Sequence, residues 1–189
     1  MNNSVNSVQE NLNKEKNVQD IKLVKGLLRY VLHDYYPAVN WKPGGIFLEE
    51  IDNSPCSVAI KSAMKLHLDA NGGEIHSFYD EDFPRKGVIN NKEHLDILRY
   101  LKSVFEIDPF DNARFLNYLC MCAEYAALSY LYGAKRAPLL TLQIISTMMK
   151  EMRESGKISQ DVWSDFEKYC ESYVQTERRR GYMRRPEYM

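Results

Sequence analysis

Apolar residues along this chain recur at helical spacing, and no segment keeps the two-residue alternation of a strand. Ile21, Val24, Leu28, Val31, Leu32 and Tyr35 fall on one helix face, with Asp20 in the place of an N-cap and Pro37 as the stop. Residues 1–18 (MNNSVNSVQENLNKEKNV) carry no sustained apolar period and read as a flexible tail. Residues 38–56 hold Pro43, Gly44, Gly45 and Pro55 and read as a long loop, an uncommon feature inside a compact domain. The period returns through Ala59, Ile60, Ala63, Met64, Leu66 and Leu68, is interrupted at Gly72-Gly73, and resumes with Ile75, Phe78, Tyr79 and Phe83. Each glycine costs a helix about 1 kcal/mol against alanine, so a break is expected there.

Two further amphipathic helices are expected over 92–105, with Leu95, Leu98, Leu101, Val104 and Phe105, and over 138–154, with Leu139, Leu142, Ile145, Met149 and Met152. A short one follows Gly156 and carries Val162, Trp163, Phe166 and Tyr169. The stretch 112–132 is different, apolar nearly all round and interrupted only by Asn117, Glu124 and Ser129. A helix without a polar face must be surrounded by others. The pattern therefore predicts an all-α bundle of seven or eight helices around one central hydrophobic helix, over 19–174, followed by a basic tail over 175–189.

Composition narrows the class. With 189 residues, 44% hydrophobic and 27% charged, the chain is the size of one domain and apolar enough to build a core. No run approaches eighteen uninterrupted apolar residues, so no membrane span is expected, and the N-terminus lacks the apolar stretch of a secretory signal. A net charge of -1 gives no argument for nucleic acid. Cys56, Cys120, Cys122 and Cys170 fit neither a disulfide framework nor a zinc site, because Cys120 and Cys122 point to opposite faces of a helix. They read as reduced thiols. His33, His67, His76 and His94 show no metal-ligand spacing and read as solvated or half-buried imidazoles, and Asp80-Glu81-Asp82 reads as a solvated acidic patch. No phosphate-binding loop or nucleophile motif is present, so no catalytic residue, metal or cofactor is assigned.

One constellation stands out. Leu68-Asp69-Ala70-Asn71-Gly72-Gly73-Glu74-Ile75 has an apolar anchor, then glycine four positions on, then an acidic and an apolar residue, with Tyr79, Asp82 and Phe83 following. This resembles the third homology motif (BH3) of the Bcl-2 family of apoptosis regulators. Three more likenesses follow in family order. Leu23-Val24-Lys25-Gly26-Leu27-Leu28-Arg29-Tyr30 resembles the first helix with its fourth motif. Asp111-Asn112-Ala113-Arg114 resembles the first motif, which opens the central helix, and Trp163-Ser164-Asp165-Phe166 resembles the second. There are departures. Gly73 stands where the motif has Asp, Asn112 and Ala113 replace Trp and Gly, and Asp161-Val162 replaces the Gly-Gly before Trp163.

The resemblance implies a non-catalytic regulator of cell death, of pro-survival type, that binds BH3 helices of pro-apoptotic partners in an apolar surface groove. The groove floor would be Ile75, Phe78, Tyr79 and Phe83, then Leu101 and Val104, then Leu116 and Met121. Asn112 and Arg114 would lie at its lip, with Arg114 forked onto the partner's Asp. The same residues also fit a core face, Arg114 also fits a surface arginine, and Trp163 also fits a packing role. Two family alternatives stay open: a virus-like modulator of innate-immune signalling with an occluded groove, and a pore-forming, pro-apoptotic member. Residues 178–189 hold five arginines against one glutamate, and members often follow such a segment with a membrane anchor. Attachment to mitochondrial outer membrane or ER, as against a cytoplasmic protein, would need a segment absent from this chain.

Overall fold

A computed structural model describes the backbone of residues 2–48, 56–85 and 87–183, and side chains between residues 12 and 180. Among the described residues there are six α-helices and no strand: α1 (Asn2–Arg29), α2 (Val58–Asp82), α3 (Asn91–Phe105), α4 (Asn112–Leu131), α5 (Ala137–Glu154) and α6 (Val162–Met183). The all-α expectation stands, with fewer and longer helices than the seven or eight predicted. Residues 49–55 of the expected loop and 184–189 of the expected basic tail lie outside the described residues.

α4 is the centre. It carries twelve buried residues, from Phe115 to Ser129, and α2, α3, α5 and α6 all pack on it. α1 packs chiefly on α5, and α2 chiefly on α6 and α4. The starts of the helices follow sequence chemistry. Ser57 accepts the Ile60 amide, Asp111 accepts the Arg114 amide, and Asn90 with Glu93 closes a reciprocal capping box at 2.9 Å on both sides. Gly133 closes the α4–α5 turn at φ +122, where a Cβ would meet the Ile89 carbonyl at 3.2 Å.

Three expectations need correction. Residues 2–18 are helical, the first half of α1, and Lys16 reaches Asp161 at 3.3 Å. Asp20 is consequently no N-cap; it lies in mid-helix and is fully buried. Its carboxylate takes two hydrogen bonds from the Arg153 guanidinium, both at 2.7 Å, and one from Trp163 Nε1 at 2.8 Å. At the other end α6 runs on to Met183, through what was expected to be the start of the tail.

The third correction concerns Gly72-Gly73. α2 runs unbroken through both, because packing against α4 and α6 along its length outweighs about 2 kcal/mol of lost propensity. Nor does Gly72 permit a close helix crossing: a Cβ there would meet nothing nearer than Glu124 Oε2 at 3.8 Å and the Tyr36 hydroxyl at 3.9 Å, and one at Gly73 would meet nothing within 4 Å. The glycines leave space and do not close it.

α1 ends in a π-helical turn, Tyr30–Tyr35, in which the Tyr36 amide bonds to the Val31 carbonyl at 2.9 Å ahead of Pro37. The following loop is anchored where it is described. Trp41 and Phe47 are buried edge to face, 5.2 Å apart, and Arg29 donates to the Phe47 carbonyl.

The Asp20 cluster generates a stability prediction. Asp20→Ala would leave a buried guanidinium unpaired and should cost about 3–5 kcal/mol in urea unfolding. Adding Arg153→Met to that variant should recover a large part of the loss, because the stranded charge is then gone.

Candidate functional site

The predicted groove floor is largely interior. Ile75, Tyr79, Phe83, Leu101 and Leu116 are all buried, and Met121 is partly so. Tyr79 and Phe83 turn inward from the last turns of α2. Their rings lie 4.8 Å apart, and Tyr79 meets Tyr125 of α4 edge to face at 5.0 Å. Of the predicted apolar floor only Phe78, at 43%, and Val104, at 42%, are exposed. Most of the expected floor is therefore already covered within the bundle, and Ile75, Tyr79, Phe83, Leu101 and Leu116 serve the core.

The motif residues divide in the same way. Leu68 and Ile75 are buried on α2, Glu74 is solvated, and Gly72 is half-buried. Trp163 and Phe166 are buried in a ring cluster with Phe115, at 5.5 and 5.0 Å between centroids. Trp163 thus closes the bundle and also ligates Asp20.

Arg114 is spoken for locally. From the first turn of α4 its guanidinium donates to the carbonyls of Phe105 at 3.0 Å and Pro109 at 3.1 Å, and it lies 5.3 Å from the centre of the Phe105 ring. It therefore caps the C-terminal end of α3, where the helix dipole favours a cation. Asp108 stands 3.5 Å away, and a third of the side chain remains exposed. Asn112 beside it is half-buried, and its Oδ1 lacks a hydrogen-bond partner.

Beyond these residues, polar groups of α4 organise two regions. On one side, Ser129 links three helices. His94 is fully buried, contrary to the expectation for the histidines, with Nε2 2.9 Å from the Thr141 hydroxyl and Nδ1 2.9 Å from that of Ser129. Thr141 donates to the Ala137 carbonyl at 2.8 Å, so it must accept from His94 Nε2–H. Nδ1 then accepts from Ser129, whose oxygen accepts from Tyr79 at 3.2 Å. Every member of this chain is satisfied. Burial pushes the imidazole down to about 4.

On the other side, Glu124 faces a pocket of about 770 Å³ between the π turn, α2 and α4. Its side chain is only 3% exposed, and Oε2 has no hydrogen-bond partner. The nearest cationic candidate is His76 Nδ1, 3.7 Å from Oε1, beyond hydrogen-bonding length. Burial raises the carboxyl to about 7, against a smaller lowering by the neighbouring Tyr36 hydroxyl. The sequence marked Glu124 only as an interruption of an apolar helix. That is the signal a buried carboxylate leaves, but it does not say what surrounds it.

The four cysteines are buried, and burial pushes the thiols of Cys56, Cys122 and Cys170 up to about 12, which makes them poor nucleophiles. Among the described residues no three His, Cys, Asp or Glu side chains gather as metal ligands, and no helix is long and apolar enough to cross a membrane. Comparisons with protein-family models, curated proteins and solved structures find no match.

The two titrating groups predict opposite pH effects. The unfolded chain protonates His94 near 6.5 and the folded one only near 4. Its contribution to stability is therefore complete above pH 6.5 and declines as pH falls toward 4, by on the order of 3 kcal/mol at most. Glu124, raised from 4.5 to about 7, favours the folded state most below pH 4.5 and loses that effect as pH rises through 7. In urea titrations across this range, His94→Gln should flatten the acid decline, and Glu124→Gln should flatten the loss between pH 4.5 and 7.

Proposed function

We propose that this chain is a regulatory helical bundle of Bcl-2 type that works by binding other proteins, and that its groove is closed. The four motif-like segments support the fold assignment by their positions: one on α1, one on α2, one opening the central helix α4 and one opening α6. The observation that carries the closed groove is the burial of Ile75, Tyr79, Phe83 and Leu116 against α4 and its neighbours. An incoming amphipathic helix gains affinity by covering apolar floor that water touches beforehand. Here that area is already removed from water, so docking would first require Tyr79 and Phe83 to leave their ring cluster.

This favours, among the family roles, a modulator of signalling complexes that uses outer helix faces, the virus-like innate-immune reading, over a sequestering pro-survival protein. The open-groove reading keeps one specific support. Phe78 and Val104 are exposed, and Arg114 is a third exposed where a partner carboxylate could reach it.

Calorimetric titration with a panel of BH3 helices separates the two. The closed groove predicts no heat and no affinity at tens of micromolar. Saturable binding that Arg114→Ala weakens, while leaving the fold intact by circular dichroism, would restore the open groove. Because Arg114 sits at a wet rim, that weakening should be at the low end, about 1–2 kcal/mol.

A further inference from the structure

We propose that the pocket between the π turn, α2 and α4 binds a small organic cation, an amine carried on an apolar body. The walls suit such a molecule: Val39, Leu68, Leu128 and Leu131 supply apolar surface, and the Tyr35 and Tyr36 rings, edge to face 4.7 Å apart, line it too. A volume of about 770 Å³ falls in the range that holds small ligands.

The charge of the walls selects the sign of the ligand. No lining residue is a lysine or an arginine. Asp69 is already matched, by Lys65 at 2.5 Å and the Tyr35 hydroxyl at 2.8 Å. Glu124 is not. A carboxylate this deeply buried, with Oε2 lacking a partner, stands at a cost that a bound ammonium would relieve through a charge-assisted hydrogen bond. An anionic ligand would meet two carboxylates and no lysine or arginine among the lining residues.

Three local departures from helix-favouring sequence converge on this space. The π turn brings Tyr35 and Tyr36 to it, and Gly72 and Gly73 leave its α2 wall bare, although neither glycine is required by a close packing contact. Each costs stability, and together they keep the pocket open over Glu124. None of the predicted groove residues lines it, so the proposal is independent of whether the groove binds a helix.

The test is calorimetry on the full chain with phenylbutylamine, phenylbutanol and phenylbutyrate. Phenylbutylamine should bind at least about tenfold tighter than phenylbutanol, the scale of one charge-assisted hydrogen bond, and phenylbutyrate should not bind. Glu124→Gln should remove the preference for the amine while leaving phenylbutanol binding unchanged. Gly73→Phe places a ring in open space on an exposed helical position, so it should keep the fold, checked by thermal unfolding, and abolish binding of both. Equal affinity for amine and alcohol, no binding of any probe at millimolar concentration, or amine binding indifferent to both variants would overturn the proposal.

Discussion

A single buried carboxylate, Asp20, ties α1 to the end of α5 and the start of α6. It lies in the middle of α1, receives both arms of the Arg153 guanidinium from the end of α5, and receives the Trp163 indole N–H from the start of α6. Both charged side chains are almost wholly removed from water, at 2% and 1% exposure. Such a pair is stable only when its geometry is close to ideal, since the desolvation of each ion must be offset by its partner. That requirement fixes the relative rotation and height of three helices at once, which apolar packing alone does less sharply. It also accounts for the helix upstream of Asp20: Lys16 meets Asp161, just ahead of α6, and Asn17 meets Arg153 of α5 when the backbone continues regularly through residue 20.

The central helix shows the same physics resolved in two ways. α4 is apolar on all sides because other elements cover it, and each polar group it buries needs an answer. Ser129 has one, a chain of hydrogen bonds through His94 and Thr141 that ends on a backbone carbonyl and ties α2, α3 and α5 to the centre. The chain fixes the imidazole tautomer and keeps it neutral. Glu124 is answered less completely, by the Tyr36 hydroxyl and a distant His76, with Oε2 left without a hydrogen bond, and next to it the packing opens into the pocket. A fully satisfied network and a partly satisfied carboxylate thus stand on one helix, on different sides of it.

Burial also decides between two meanings of the same pattern. An apolar stripe on α2 at helical spacing describes a groove floor and a core face equally well, because periodicity records only that a face avoids water. Ile75 avoids it by burial in the core, Tyr79 and Phe83 by packing on Tyr125, and Phe78, one position from Tyr79, remains outside. Arg114 follows the same logic. A guanidinium near a helix start can await a partner or satisfy its own protein, and two carbonyls at the end of α3 already engage it.

The sequence by itself determined the helical class and the central position of residues 112–132. Both are written in the pattern itself: apolar positions recur at helical spacing, and one helix is apolar nearly throughout. It did not determine the lengths of the helices. The helicity of residues 2–18, the continuity through Gly72-Gly73 and the extension of α6 rest on contacts between residues far apart in the chain, such as the 133 positions separating Asp20 from Arg153. Nor could it distinguish Ser129 from Glu124, two polar interruptions of one apolar helix. Whether each is satisfied depends on which side chains the tertiary fold brings within three ångströms, and only packing sets that.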